Sequence, residues 1–136
     1  MRLKLDQETL GLSSLIEGML RVKVMDCFME EEMIYVVVPA GELGRAIGKG
    51  GSTLHRLQDK LQKRVKLIEY RDNLLEFVRS AIHPLQVEEM VQQEGKLVLR
   101  DHSPKTKGLL IGRGGRNLQV INRAVQRFFS TEVVVE

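Results

Sequence analysis

The chain has 136 residues, 43% of them hydrophobic and 29% charged, with a net charge of +3; this suits one ordinary domain or two very small ones. The single cysteine, Cys27, excludes an internal disulfide and a four-cysteine zinc site, and it favours a reducing cytosol. No apolar run is long enough to cross a bilayer and the N-terminus has no apolar core of signal-peptide length, so we expect a cytoplasmic protein without a membrane partner.

The first half of the chain is predicted to hold helices and strands in alternation. In chain order the predicted elements are a helix over 7–20 with apolar residues at 10, 12, 15, 16, 19 and 20, strands over 22–28 and 33–38, a short helix over 42–47, a helix over 52–62 and a strand over 65–70. An acidic turn over 30–32 joins the first two strands, and Pro39 ends the second. Ser52 is the predicted N-cap of the longer helix.

The second half repeats this order of elements. The predicted elements are a helix over 72–82, strands over 85–91 and 96–100, a short helix ending near 111, a helix over 117–129 and a strand over 131–135. Asp72 is the predicted N-cap of its first helix, and Ser103-Pro104 reads as an N-cap followed by the first helical residue.

An ungapped repeat lies at the same place in each half. Residues 44–54 align with residues 108–118 at an offset of 64, with six of eleven positions identical, and Lys49 aligns with Arg113. Residues 43–66 and 100–130, which contain the two copies, each carry a net charge of +6, whereas the rest of the chain carries −9. Two similar tandem modules are therefore predicted, each with a site for a polyanion.

The segments Ile47-Gly48-Lys49-Gly50-Gly51 and Ile111-Gly112-Arg113-Gly114-Gly115 resemble the I-G-x-x-G core of K-homology (KH) domains, where a GxxG loop joins two helices and clamps single-stranded nucleic acid. Because a helix precedes the second copy and a strand ends it, the type II (prokaryotic) form is the one that fits. The resemblance implies an α+β fold of two tandem type II KH domains, over 1–70 and 71–136, each a three-stranded mixed sheet packed with helices. With no linker between them, we expect the two domains to be rigidly joined.

Two fused units of this kind are similar to the tandem KH part of NusA, and in their shortness to archaeal NusA-like proteins. The further N-terminal and S1 domains of bacterial NusA do not fit into 136 residues. The resemblance implies a factor in transcription termination or antitermination that binds single-stranded RNA. It also points to RNA polymerase or its elongation complex as a partner.

Glycines permit a tight turn and close backbone approach, a helix N-terminus favours phosphate, and basic side chains neutralise it. Apolar side chains such as Leu54 and Leu118 would line the groove in which bases lie. The expected RNA-binding residues are Gly48, Lys49, Gly50, Gly51, Gly112, Arg113, Gly114, Gly115, Arg45, Ile47, Ser52, Arg56, Lys105, Lys107, Ile111 and Arg116.

The sequence does not fit the motifs expected of an enzyme. Residues 44–50 lack one residue of the Walker spacing, and Gly50 stands where a Ser or Thr would hold magnesium. The three histidines are scattered, so neither a catalytic site, a metal site nor a cofactor is expected. Two alternatives stay open: a KH-type factor of ribosome assembly or a ribosomal protein, and a protein-interaction scaffold.

Overall fold

The computed structural model describes the backbone of residues 7–136 and the side chains from Gly11 onward. The expectations about a signal peptide and about the apolar side chain of Leu10 lie outside the described residues. Among residues 7–136, no helix is both long enough and apolar enough to span a membrane.

The elements follow the predicted alternation in both halves. They are α1 (Gln7–Leu20), β1 (Asp26–Glu30), β2 (Met33–Val38), α2 (Leu43–Ile47), α3 (Ser52–Leu61), β3 (Arg64–Glu69), α4 (Leu74–Ile82), β4 (Glu89–Gln93), β5 (Lys96–Arg100), α5 (Pro104–Ile111), α6 (Arg116–Gln126) and β6 (Glu132–Val135). Short 3₁₀ turns over Lys49–Gly51 and Arg113–Gly115 link α2 to α3 and α5 to α6.

The chain divides into two compact units between Arg71 and Asp72. The first unit has a three-stranded sheet in the order β1-β2-β3, and the second has one in the order β4-β5-β6. In each sheet the hairpin pair is antiparallel and the last strand joins parallel to the middle one. The predicted α+β class with two three-stranded mixed sheets is confirmed.

The core of the first unit lies between one sheet face and the three helices α1, α2 and α3. Alternate residues of β2 supply the sheet side, and Cys27 of β1 joins them as a small buried side chain. Ile16, Leu20 and Leu57 enter from the helices. Leu15, predicted to lie on the same apolar face of α1, is exposed instead.

The core of the second unit is centred on Phe77 of α4, whose side chain is fully buried. Its ring centroid lies 5.6 Å from that of Phe128 in an edge-to-face arrangement and 5.8 Å from that of Phe129. Aromatic pairs of this geometry add to the stability gained by burial. The packing ties α4 to the end of α6.

Two strands begin later than the sequence predicts. The first was expected from Val22 but starts at Asp26, because Arg21 adopts a left-handed φ of 58° and the Glu17 carboxylate accepts a hydrogen bond from the Val24 N–H at 2.8 Å. The other was expected over 85–91 but runs over Glu89–Gln93. Its tight hairpin with β5 places Gln93 opposite Lys96 and so sets the register of the whole strand.

Helix boundaries differ in three places. Asn73, not Asp72, caps α4, with its side chain accepting a hydrogen bond from the Glu76 N–H at 3.2 Å. Ser52 is the first residue of α3 and makes no capping hydrogen bond, since Gly51 occupies the cap position. The last helix ends at Gln126 rather than at Phe129, because the chain turns there.

Candidate nucleic-acid interface

Gly48 makes the sharp turn between α2 and the first 3₁₀ turn, with φ 81° and ψ 168°. This region of the backbone map is almost closed to residues with a side chain. A Cβ atom at Gly48 would also lie 2.8 Å from both the Cβ and the backbone N of Thr53. Only glycine therefore allows α3 to begin so close to the end of α2.

Gly50 and Gly51 complete the loop in the left-handed region, with φ of 63° and 78°. No atom lies within 4 Å of a Cβ built at either position, so there is open space beside both residues. Glycine is favoured here because of the left-handed backbone conformation, not because of a close contact. Lys49 and Gly50 are exposed at the tip.

The backbone φ and ψ angles of the second loop are nearly the same as those of the first. Gly112 has φ 76° and ψ 172°, and a Cβ there would lie 2.7 Å from the Asn117 Cβ. Gly114 and Gly115 have φ of 63° and 78°. Arg113, which replaces the lysine of the first copy, is exposed. The sequence repeat is thus a structural repeat of the same helix–loop–helix turn.

Both helices that follow the loops begin without a side-chain cap. Gly51 and Gly115 occupy the cap positions of α3 and α6, and glycine has no side chain with which to cap them. The N–H groups of a helix's first turn, together with the positive end of the helix dipole, attract anions. The basic residues Lys49 and Arg113 lie in the short turns that precede the N-termini of α3 and α6.

All sixteen predicted site residues lie on the two helix–loop–helix segments, and most lie next to the glycines. Arg45 and Ile47 are on α2, and Ser52 and Arg56 are on α3. Ile111 ends α5, and Arg116 starts α6. Lys107 is partly buried on α5, and Lys105 sits seven residues before Gly112. At 1.5 Å per residue, Lys105 is about 10 Å along the helix axis from the loop, so the structure does not bring it to the glycines.

Comparison with known proteins shows the family to which the chain belongs. The sequence pattern of the KH domain family matches residues 16–94. The probable transcription termination protein NusA of Methanococcus vannielii is 36% identical over 129 residues, which cover 92% of this chain and 72% of that protein. The chain belongs to the KH-domain family of NusA-like proteins. The protein of the same name from Methanocaldococcus jannaschii is 30% identical and is covered to 70%.

Similarity extends to a solved structure of nearly the same length. The crystal structure of APE1850 superposes with a TM-score of 0.74 at 28% identity, covering 96% of this chain and 99% of that one. The NusA of Halococcus morrhuae is likewise covered over 96% of its length, at 28% identity. The similarity to these two proteins therefore extends over both units of the chain.

Ion pairs engage part of the basic surface of the first KH unit. The Arg45 guanidinium lies 3.5 Å from the Glu42 carboxylate, and both are exposed enough that the pair contributes little stability. His55 of α3 lies 3.4 Å from Asp59, one helical turn along. Its partner is therefore a carboxylate of its own helix, not the loop backbone.

The lysine-rich run over 60–66 does not form one basic face. Lys63 pairs with Glu32 of the acidic β1–β2 turn at 3.4 Å. Lys66 points from β3 into a partly buried position, and burial lowers the pKa of its ammonium group. Lys60 and Arg64 stay exposed. Only part of this run can contribute to the polyanion site.

Asparagine and glutamine side chains that the sequence reasoning missed hold each KH unit together. Asn117 donates from its Nδ2 to the carbonyl oxygens of Leu109 at 3.2 Å and Leu110 at 2.9 Å, tying the start of α6 to the end of α5. The repeat aligns this residue with Thr53. Both are polar residues two positions after the last glycine of the loop, and nothing else in the sequence indicated this role.

Amides in the last helix of each unit hold the neighbouring edge strand. Gln58 of α3 accepts a hydrogen bond from the Val65 N–H at 2.9 Å. Asn122, 64 residues later, accepts from the Val133 N–H at 2.8 Å and donates to the Val133 carbonyl at 2.9 Å. These bonds keep the helix after each loop in register with its sheet.

Among the described residues, no group of three or more histidine, cysteine or acidic side chains is placed to hold a metal ion.

Proposed function

We propose that this protein is an RNA-binding transcription factor, without enzymatic activity, that acts in termination or antitermination and holds single-stranded RNA with its two glycine loops. The observation that carries the proposal is the duplicated loop itself. Two segments 64 residues apart adopt the same four-residue turn, each with a basic residue at its exposed tip. The role in transcription is carried over from the relatives named as transcription termination proteins.

The backbone of the loop is the part that would hold phosphate. The first turn of α3 follows the glycines directly and has no side-chain cap, so its backbone N–H groups are donors at the loop. Without side chains on the glycines, an RNA backbone can approach these donors directly. Arg113, Gly114 and α6 offer the same arrangement in the second unit.

Basic side chains near each loop would supply the non-specific part of the affinity. Lys49, Arg56 and Arg113 are exposed and lie within or close after the loops. Each phosphate neutralised by such a residue releases condensed counterions, so binding would weaken as salt rises. RNA polymerase or its elongation complex is the expected protein partner.

The direct test is fluorescence anisotropy with a labelled single-stranded RNA of about 12 nucleotides, enough for two KH units that each take about four. The variant carries Lys49→Asp, Gly50→Asp, Arg113→Asp and Gly114→Asp. Aspartate tolerates the left-handed region better than most residues, and there is open space at both glycines, so the fold should persist. We expect the affinity to fall at least about tenfold.

A matched control uses Gly95 and Lys96, an exposed glycine and lysine at the hairpin between β4 and β5 of the second unit. Gly95 also has a positive φ, 71°, with no atom within 4 Å of its Cβ, and exposed Lys96 follows it. The variant Gly95→Asp/Lys96→Asp should keep RNA affinity close to that of the native protein. If the loop variant stays folded by circular dichroism and still binds like the native protein, the loops are not the RNA site.

A further inference from the structure

The last carbonyl groups of α5 need hydrogen-bond partners from outside the helix, as at the end of any helix. The Gly112 N–H donates to the Gly108 carbonyl at 2.8 Å. The two hydrogens of the Asn117 amide serve the next two carbonyls, those of Leu109 at 3.2 Å and Leu110 at 2.9 Å. Because Asn117 is the second residue of α6, one side chain bridges the glycine loop and holds the end of α5.

The first loop has the same backbone but a different residue at this position, Thr53. The Gly48 N–H donates to the Gly44 carbonyl at 3.0 Å, as in the second loop. A threonine hydroxyl carries one hydrogen and an amide carries two, so Thr53 cannot bond to two carbonyls at once. Its Oγ1 is the atom nearest to a Cβ built at Gly48, whereas the Asn117 amide extends past the hinge glycine to α5. Two loops of equal shape are therefore held by different side-chain bonds.

The other end of α5 is also held by side chains. The Ser103 Oγ accepts a hydrogen bond from the Thr106 N–H at 3.2 Å, and the Asp101 carboxylate accepts one from the Ser103 N–H at 2.8 Å. The helix α2, which precedes the first loop, begins without a side-chain cap. Bonds at both of its ends restrict the motion of α5 about the hinge at Gly112, and α2 lacks the bond at its start.

We infer that Asn117 is a positioning residue of the second RNA site, which holds the hinge at Gly112 in its binding conformation before RNA arrives. This inference rests on the proposed RNA binding. The side chain acts through the loop, since both of its amide hydrogens are engaged by α5. A site whose shape is fixed beforehand loses less conformational freedom on binding, so the same contacts give a higher affinity. The first loop, with Thr53 at this position, is ordered by RNA to a greater extent.

The test measures each loop in a background where the other loop is disabled. Lys49→Asp/Gly50→Asp leaves the second loop to bind a labelled single-stranded RNA of about 12 nucleotides, and Arg113→Asp/Gly114→Asp leaves the first. Into both backgrounds we introduce Asn117→Thr, the residue that the first loop carries. It should weaken RNA binding about fivefold in the first background, the equivalent of one hydrogen bond. It should leave the affinity unchanged in the second background.

Two further measurements distinguish positioning from other roles. Asn117 is uncharged, so its replacement should leave the slope of log affinity against log salt unchanged. In the free protein, amide hydrogen exchange should speed up about fivefold at Gly112 and Gly115, whose N–H groups are bonded within the loop region. The control is Asn122→Ala, which removes an amide from the same helix that bonds to β6 and not to α5. It should change neither the RNA affinity nor exchange at these two glycines.

Three results would overturn the inference. The first is an Asn117→Thr protein that binds RNA like its parent when only the second loop is active. The second is a loss of affinity without faster exchange at Gly112 and Gly115, which would make the amide a direct RNA contact. The third is an equal loss in Asn122→Ala, which would leave Asn117 a merely structural role. If the native protein binds no RNA at all, the proposed function fails as well; if it binds and Asn117→Thr alone has no effect, only the positioning role is wrong.

Discussion

The strongest steric demand in the molecule is at the first glycine of each loop, and Gly112→Ala tests it. The φ and ψ of Gly112, 76° and 172°, cost a residue with a Cβ roughly 1–3 kcal/mol. The new methyl group would also lie 2.7 Å from the Asn117 Cβ and 2.8 Å from its backbone N, and such overpacking costs roughly 1–3 kcal/mol more. We expect the free energy of unfolding to fall by about 3 kcal/mol or more.

Gly114→Ala isolates the conformational part of this cost. Gly114 also has a positive φ, 63°, but no atom lies within 4 Å of its Cβ. The left-handed conformation alone costs about 1–2 kcal/mol, partly offset by the smaller entropy of the unfolded alanine chain, so we expect a loss of about 1 kcal/mol. Gly95→Ala, in the hairpin turn of the same unit, should lose about as much.

Urea unfolding followed by circular dichroism measures these differences. With a slope of about 1 kcal/mol per molar for a unit of this size, the midpoint should fall by about 1 M for Gly114→Ala and about 3 M for Gly112→Ala. Equal losses at the two positions would refute the reasoning, because they would mean that the start of α6 moves away from the new methyl group at no cost. A smaller loss at Gly112 would refute it as well.

Three further outcomes follow from contacts outside the loops. Asn73→Ala should lower the free energy of unfolding by about 1 kcal/mol in chemical denaturation through loss of the α4 cap, whereas Asp72→Ala should leave it nearly unchanged. Asn122 forms hydrogen bonds with the N–H and carbonyl of Val133 in β6, so Asn122→Ala should speed amide hydrogen exchange in this strand. An exchange rate equal to that of the native protein would contradict the role of Asn122 in holding β6. Hydrogen bonds from His102 lower the pKa of the Glu88 carboxyl in the folded protein. They therefore stabilise the fold at pH values above the pKa of Glu88 in the unfolded chain, and this stabilisation is lost as pH falls through the pKa of Glu88 in the folded protein. Melting temperatures between pH 6 and pH 3 should therefore drop less in Glu88→Gln than in the native protein.

Local residue chemistry was enough to predict the two units and the position of the loops. Gly48 and Gly112 stand at the same place in an ungapped repeat, and a run of glycines between two helices suits a sharp turn that other residues cannot make. Ser103 followed by Pro104 predicted the start of α5, and the structure confirms both the cap and the helix. Signals of this kind act within a few residues and need no knowledge of distant contacts.

Features set by contacts across the unit could not be read from the sequence. The residues from Val22 to Met25 are as apolar as a strand, but the left-handed Arg21 and the Glu17 carboxylate hold them in a turn. Asn117 gave no sign that its amide would reach back to α5. Lys66 belongs to a basic segment of the sequence, but the structure places it in a partly buried position on β3, where burial lowers the pKa of its ammonium group.

The amides of α3 and α6 bear on how copies of the chain behave at high concentration. The strands β3 and β6 each have one neighbour in their sheet, so each presents an open edge on which another polypeptide could add as a further strand. Asn122 takes up the N–H and the carbonyl of Val133 on its outer side, and Gln58 takes up the N–H of Val65. Part of each open edge is therefore already paired from within the same unit, which leaves fewer backbone groups for intermolecular pairing at the parallel strands.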